Sequence, residues 1–293
     1  MSISLLCFSK DRPLQLEAYL TSLSRMCSEH LVVRVVYTCS KRFESAYQKI
    51  RDYFPDVDFQ LEADFRQQVR DFVKNSKTSF LMFGCDDVVF KGTWDPRDAL
   101  STFSRLPNLL AFSLRLGAEI THCYPLNRDM ALPNFLETSP FLVWQWPQGE
   151  LDWGYPWELD CTIYPKDFVR KMVRELDKWR PPWRKLDWAH PNRFEGLGAG
   201  LVRHMTNLDL MAAYPTAKAS VVTVNRVQDV EPNRVYETNV PVEVLLEKWN
   251  NGIILDINKY VSRPYPSIHI GEAFFTERSG ERDCSKSPNM QTN

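Results

Sequence analysis

The stretch Thr78-Ser-Phe-Leu-Met-Phe-Gly-Cys-Asp-Asp-Val-Val-Phe90 places two adjacent acids directly after an apolar run. That run, residues 80–83, has the length and composition of a buried strand, and a second apolar run, residues 88–90, follows the acids. Two neighbouring carboxylates repel each other unless a cation or hydrogen-bond donors compensate their charge. Open α/β sheets bind ligands at the carboxyl ends of their strands. Asp86 and Asp87 therefore predict either a divalent-metal site for a phosphorylated substrate or a surface turn with two solvated acids.

The part of the chain before these acids alternates predicted strands with predicted helices. The predicted strands are 3–8, 31–37, 57–61 and 79–83, and the predicted helices follow Pro13 and cover 40–54 and 65–75. Asp11 can cap the first helix, whose apolar positions Leu16, Tyr19, Leu20 and Leu23 share one face. This alternation with short connections indicates βαβ units and a mostly parallel sheet. The chain has no GxGxxG or Walker A loop, which argues against a dinucleotide or P-loop site.

Beyond the acids the pattern is less regular. Helices are predicted at 95–106, 166–177 and 242–249, and strands at 109–115 and 220–224. Between them, residues 124–164 are rich in aromatic residues and proline and show little periodicity. Pro181-Pro182 would end the helix predicted at 166–177. Residues 278–293 contain almost no apolar side chains, which predicts a disordered tail.

The composition excludes several classes of protein. The chain has 293 residues, of which 44% are hydrophobic and 25% charged, and its net charge is −1. It is therefore an ordinary globular protein, and the lack of a basic excess argues against nucleic acid as a partner. No apolar run approaches the roughly 20 residues of a membrane span, and the N-terminal apolar run is too short for a signal peptide. Seven scattered cysteines without a CxxC pair indicate reduced thiols and a cytoplasmic protein.

Three stretches together resemble nucleotide-sugar-dependent glycosyltransferases of the GT-A fold, most closely the family 2-like enzymes. Phe8-Ser-Lys-Asp-Arg-Pro13 resembles their turn beside the nucleotide base, and Phe65 to Phe72 resembles the helix before their metal motif. Cys85-Asp86-Asp87 looks like the metal-binding DxD motif, with Cys85 in place of the first acid. The resemblance spans roughly Ile3 to Phe275. It implies an α/β, GT-A-like (Rossmann-like) fold, in which helices flank a mostly parallel central sheet and an aromatic-rich subdomain lies on the acceptor side.

The resemblance also implies which part of the chain binds each substrate and which reaction the chain catalyses. Residues 1–115 would form the nucleotide-sugar-binding half, and residues 116–277 the acceptor-binding and catalytic half of the same domain. The implied reaction is metal-dependent transfer of a sugar, with inversion, from a UDP- or GDP-sugar to a hydroxyl of a glycan or another acceptor. One alternative is a nucleotidyltransferase of related fold, although such enzymes carry a glycine-rich loop after the first strand and residues 9–13 contain no glycine. Another is a catalytically silent sugar- or protein-binding domain.

The matched stretches and the resemblance together imply the donor-binding residues. Asp87 would ligate Mn²⁺ or Mg²⁺, and His269 would be the histidine near the C-terminus that completes the metal site in several GT-A enzymes; carboxylate and imidazole together suit Mn²⁺ in particular. Asp86 would contact the ribose or a metal-bound water. The remaining candidates for donor binding are Asp11 for the base, Arg12 for a phosphate and Arg66 on the helix before the metal motif. His269 is equally consistent with a packed histidine that has no role in binding.

An inverting transfer needs a general base near the acceptor hydroxyl. The resemblance implies a base in an acidic motif at the start of a helix about one hundred residues after the metal motif, and Glu195, just before a helix predicted over 196–208, is the first candidate. Asp152 and Asp160, in the acid- and aromatic-rich run 150–160, are the alternatives, and any one of these acids is equally consistent with a solvated carboxylate. The aromatic residues of this region either stack on sugar rings or form a core; they are Trp144, Trp146, Trp153, Tyr155 and Trp157.

Overall fold

The computed structural model describes residues 3–178, 187–227 and 239–278. The strands, in chain order, are β1 Ile3–Lys10, β2 Val32–Thr38, β3 Asp58–Leu61, β4 Phe80–Cys85, β5 Val88–Phe90, β6 Leu109–Ser113, β7 His122–Cys123, β8 Arg128–Asp129, β9 Phe135–Glu137, β10 Leu142–Gln145, β11 Thr162–Pro165, β12 Leu210–Ala213, β13 Ala219–Val222, β14 Ile253–Leu255, β15 His269–Ile270 and β16 Phe275–Glu277. The helices are α1 Pro13–Met26, α2 Glu44–Tyr53, α3 Phe65–Asn75, α4 Pro96–Arg105, α5 Lys166–Lys178, α6 Pro191–Met205 and α7 Val242–Asn250. None of these helices is long and apolar enough to cross a membrane.

The central sheet has nine strands in the order β3-β2-β1-β4-β11-β6-β12-β10-β9. Strands β1 to β4 pair in parallel, and so do β6 and β12. Strand β11 runs antiparallel between β4 and β6, so that these two strands share one direction. The predicted α/β class with a mostly parallel central sheet flanked by helices is therefore confirmed.

Helices cover both faces of this sheet. Gly84 of β4 lies under the hydroxyl of Tyr19 on α1, while the ring of the preceding residue, Phe83, contacts Phe72 on α3. Because consecutive strand residues face opposite sides of a sheet, α1 and α3 lie on opposite faces. The apolar face predicted for the first helix is buried as expected, and β1 is buried from Ile3 to Ser9, as suits a strand covered on both sides.

The carboxyl ends of β1, β4 and β6 meet at one edge of the sheet. Since β11 runs in the opposite direction, the residues before it lie at this same edge, where the N–H of Cys161 donates to the carbonyl of Phe83 at 2.9 Å. A three-stranded sheet, β15-β13-β5, adjoins this edge. In it Val88 pairs with Val221, and Val221 pairs with His269. Residues distant in sequence are thereby brought beside the Asp86–Asp87 turn.

Two local predictions about the candidate residues are wrong. The helix predicted over 196–208 begins at Pro191, because His190 caps it by accepting from the N–H of Asn192, and Glu195 therefore lies in its second turn. Asp11 does not cap α1, whose N-cap residue is Arg12. The carboxylate of Asp11 instead accepts from the N–H of Ser40 at 2.7 Å.

The aromatic region contains strands β8 to β10 and most of β11, so it is more regular than its sequence suggests. Four of its aromatic residues are buried in the hydrophobic core and offer no face to a ligand: Trp144, Trp146, Trp153 and Trp157. Strands β10 and β9 continue the central sheet. Pro181-Pro182, predicted to end a helix, and residues 279–293 of the predicted tail lie outside the described residues.

Candidate active site

A cavity of about 770 Å³ opens at the carboxyl edge of the central sheet. Most of the candidate residues line it, namely Arg12, Asp86, Asp87, Asp152, Asp160, Glu195 and His269. Asp11 and Arg66 are not among its lining residues. The fold therefore brings together acids that lie more than one hundred residues apart in the sequence.

The acid pair is compensated by an arginine of the chain itself. The Nη1 atom of Arg12 lies 3.0 Å from Asp86 Oδ1 and 2.9 Å from Asp87 Oδ2. Asp86 also accepts from the Ser9 hydroxyl at 2.8 Å and from the N–H of Lys10 at 3.1 Å. Burial raises the pKa of Asp86 to about 6, although the charge of Arg12 opposes this shift. Asp86 is thus enclosed by protein donors, while Asp87 is the more exposed acid of the pair.

Arg12 is held rigidly because the chain positions its backbone and both ends of its guanidinium. Its N–H donates to the hydroxyl of Tyr47 at 3.2 Å, and its Nη2 donates to the carbonyl of Asn225 at 2.6 Å. Its pKa is raised, because the charges of Asp86 and Asp87 outweigh the opposing effect of burial. The arginine therefore remains a cation and ties the turn after β4 to the segment after β13.

Asp87 and His269, the residues predicted to ligate a metal, both line the cavity. Burial lowers the pKa of His269, which keeps its imidazole neutral, the form that ligates metals. Across residues 3–178, 187–227 and 239–278 no three His, Cys, Asp or Glu side chains are grouped so as to hold a metal ion. Ions such as Mg²⁺ are commonly held by one or two carboxylates together with substrate phosphates, so the donor set of Asp87 and His269 fits in its chemistry.

Arg115 is a site residue that the sequence patterns above do not single out. It is 3% exposed and lines the cavity, with its Nη1 3.7 Å from Asp152 Oδ1 and its Nε 3.6 Å from Glu158 Oε2. It lies two residues beyond the end of β6. The strand predicted over 109–115 includes Arg115, and therefore the rule that selects Asp86 and Asp87, a polar residue directly after a core strand, does not select it.

Two further acids, Asp160 and Glu195, line the cavity, and their charges act on Arg115. Burial, with the charge of Glu158 adding to it, raises the pKa of Asp160 to about 7. Burial and the charge of Asp160 raise the pKa of Glu195 well above its ordinary value. Burial and the charge of Glu195 likewise raise the pKa of Tyr155, the one residue of the aromatic group that lines the cavity. A carboxyl group with a pKa near neutrality can accept a proton at physiological pH.

No protein-family model matches the chain. Over 94% of its length it is 28% identical to the bifunctional glycosyltransferase pgtA of Dictyostelium discoideum. The resemblance to glycosyltransferases is confirmed. The chain spans 39% of the length of that relative.

Solved structures of glycosyltransferases are also similar, at lower identity. S. aureus TarS residues 1–349 in complex with UDP matches with a TM-score of 0.47 and 15% identity, covering 73% of this chain and 58% of TarS. The mannosyltransferase PcManGT from Pyrobaculum calidifontis, in complex with GDP-Man and Mn²⁺, matches with a TM-score of 0.34 and 11% identity, covering 58% of this chain and 46% of that chain.

The two candidates that do not line the cavity have other partners. Asp11 bonds to Ser40, as described above, and Arg66 Nη1 donates to Asp187 Oδ1 at 2.9 Å. Lys10, which precedes Asp11, lines the cavity in its place, together with Thr38 and Glu62. Burial raises the pKa of Glu62. Glu62 follows β3, and so it too obeys the strand-end rule.

Proposed function

We propose that the chain is a glycosyltransferase that moves a sugar from a UDP- or GDP-sugar to the hydroxyl of a glycan or another acceptor, with inversion. The observation that carries this proposal is that one cavity holds both the acid pair with Arg12 and the carboxyl groups of Asp160 and Glu195. The first group suits a diphosphate and the second suits a hydroxyl that must lose a proton. The similarity to a glycosyltransferase along nearly the whole chain supports the same assignment.

The donor end of the cavity would bind the nucleotide diphosphate. Asp87 and His269 are the side chains that would hold a Mn²⁺ or Mg²⁺ ion, which supplies positive charge to the departing diphosphate. Arg12 adds a fixed positive charge beside them. Asp86, whose carboxylate accepts from Ser9, Lys10 and Arg12, orients this turn and borders the site of the ribose.

The general base would lie either on helix α6, which carries Glu195, or in the segment before strand β11, which carries Asp160. In an inverting transfer the acceptor oxygen bonds to the anomeric carbon, the bond from that carbon to the diphosphate oxygen breaks, and the hydroxyl proton passes to a carboxylate. Glu195 is the preferred base because it lines the cavity, where burial raises the pKa of its carboxyl group, and because the resemblance implies a base at this helix. Asp160 and Asp152 remain the alternatives.

Ligand binding tests the donor end directly. We expect UDP, GDP or one of their sugars to raise the unfolding temperature with Mn²⁺ present, because a bound ligand stabilises in proportion to ln(1 + [L]/Kd). Asp87→Ala should abolish the metal-dependent part of this binding in calorimetry. Asp167→Ala, which removes an acid with a 90% exposed side chain, is the matched control. Equal affinity in the presence of EDTA would remove metal from the proposal.

Product analysis separates the proposed reaction from its rivals. A glycosyltransferase releases nucleoside diphosphate from a sugar nucleotide. Slow transfer of the sugar to water makes this release measurable without the acceptor. A nucleotidyltransferase would instead release pyrophosphate from a nucleoside triphosphate and a sugar phosphate. A silent binding domain would bind sugar nucleotide and release neither product.

A further inference from the structure

A cluster of buried polar atoms around Arg115 has no hydrogen-bond partners, and two of its residues, Arg115 and Asp152, line the cavity. Among the described residues, these atoms are Nε and Nη2 of Arg115, Oδ2 of Asp152 and Oε1 of Glu158. The distances from Arg115 to the two acids, 3.6 and 3.7 Å, are longer than hydrogen bonds. A guanidinium that served only as a structural counter-ion would be expected to form short hydrogen bonds to its carboxylates.

The surrounding structure fixes these groups in place. The carbonyl of Leu114, next to Arg115, accepts from the N–H groups of Lys218 and Ala219 at 2.7 and 2.9 Å. Asp152 lies beside the fully buried Trp153, whose indole donates to the carbonyl of Ile120 at 3.1 Å. The residues next to Arg115 and Asp152 are therefore fixed, as the scaffold of a preorganised binding site requires.

The arrangement selects a neutral ligand that both donates and accepts. A hydroxyl group donates one hydrogen bond and accepts others, so vicinal hydroxyls can donate to Asp152 while they accept from Arg115. An anionic ligand here would meet the charges of Asp152, Glu158 and Asp160. A cationic ligand would meet Arg115. A sugar ring satisfies the donors and the acceptors together.

The position of the pair within the cavity indicates which sugar it binds. The charges of Asp152, Arg115 and Asp87 of the acid pair all act on His269. The charges of Asp160 and Glu195 act on Arg115. Under the function proposed above, on which this inference rests, the donor sugar lies between the diphosphate and the base. We propose that Arg115 and Asp152 bind hydroxyls of the donor sugar ring, so that they recognise the sugar and not the nucleotide.

Calorimetry with a nucleoside diphosphate and its sugar nucleotides tests this proposal. The probes are UDP, GDP, UDP-GlcNAc, UDP-galactose, UDP-glucose and GDP-mannose, and the sugar nucleotide that most raises the unfolding temperature of the wild type is used with its own diphosphate. Asp152→Asn keeps the shape and removes the charged acceptor. It should weaken binding of the sugar nucleotide about 10-fold or more, the usual effect of losing a hydrogen bond to a charged group, and leave the Kd of the diphosphate within about twofold.

Arg115→Lys keeps the positive charge but loses the planar fork, and it should show the same selective loss. Arg105→Lys, whose partner Glu137 is on the surface, is the control and should bind both ligands as the wild type does. An equal loss for both ligands, or no loss for either, would overturn the proposal. If the wild type binds no nucleotide at all, the proposed function fails and this inference with it.

A measurement on the unaltered protein guards against variants that do not fold. In saturation-transfer NMR the protons of the sugar ring should receive saturation as strongly as the ribose protons. Ribose saturation without saturation of the sugar ring would overturn the sugar site while it supports nucleotide binding. The two proposals therefore fail in distinguishable ways.

Discussion

Replacing Asp160 by asparagine should change how the stability of the protein depends on pH. The pKa of Asp160 is raised from 3.8 to about 7, first by burial and then by the charge of Glu158. A folded state that raises the pKa of a carboxyl group binds its proton more tightly than the unfolded chain does. The stabilisation from this group is therefore present below about pH 4 and is lost as the pH rises towards 7.

The size of the effect follows from the pKa shift. A shift of about three units corresponds to at most about 4 kcal/mol, at 1.36 kcal/mol per unit. The side chain borders an open cavity, so solvent reduces this, and we expect about 2 kcal/mol or more. An asparagine in place of Asp160 would be uncharged at every pH. The variant should unfold at nearly the same temperature as the wild type near pH 4 and at a higher temperature near pH 8.

Thermal and urea unfolding of both proteins at several pH values between 4 and 8 measure this difference. Asp167→Asn, at an exposed position, is the control and should track the wild type throughout. A difference in unfolding free energy between Asp160→Asn and the wild type that stays constant with pH would refute the reasoning. So would a wild type whose stability relative to the variant rises with pH, because that result requires a lowered pKa.

Two further substitutions test other parts of the site, and a pair of substitutions tests how the central sheet packs against α1. Glu195→Gln should leave donor affinity nearly unchanged and lower kcat about 10²- to 10⁴-fold in steady-state assays, and a wild-type rate would reject Glu195 as the base. His269→Ala should weaken Mn²⁺ binding about 10- to 100-fold in calorimetry, and unchanged binding would reject it as a ligand. Gly84→Ala should lower stability by about 1–3 kcal/mol in urea unfolding, because its Cβ would lie 2.1 Å from the Tyr19 hydroxyl oxygen. Tyr19→Leu should cost the Gly84→Ala protein less than it costs the wild type, and additive losses would contradict the proposed clash.

The regular elements were predictable because their apolar patterns are long enough to read. Helix α3 has the predicted bounds, and the apolar face of α5 is buried as its spacing indicates. Strands β7 to β10 are two to four residues long, which is too short for a period to emerge. The tryptophans among them are core residues for a reason no local pattern discloses, since their partners come from other elements.

The site was predictable to the extent that strand ends are recognisable. That rule selects the acid pair and Glu62, whereas it misses Arg115, because the strand predicted over 109–115 extends past the end of β6 at Ser113. Local sequence does not show which residues that lie far apart in the chain come into contact. The acid pair requires a compensating cation, and local sequence does not reveal whether that cation is a metal ion or Arg12, which lies 74 residues before Asp86. Helix boundaries were similarly decided by a single cap, since His190 moves Glu195 from the first turn to the second.

The cavity therefore has two halves with the same arrangement of charges. In each, a buried arginine faces acids that follow core strands or lie on neighbouring turns: Arg12 with the acid pair, and Arg115 with Asp152 and Glu158. The two arginines differ in how fully they are paired. Arg12 forms hydrogen bonds to both acids and to the Asn225 carbonyl through its two Nη atoms and leaves only Nε without a partner, whereas Nε and Nη2 of Arg115 are both unsatisfied. An arginine bonded through both Nη atoms holds its surroundings in place, and one with a free Nη atom can bind a ligand. The half around Arg115 is therefore where substrate recognition should be altered by substitution without loss of nucleotide binding.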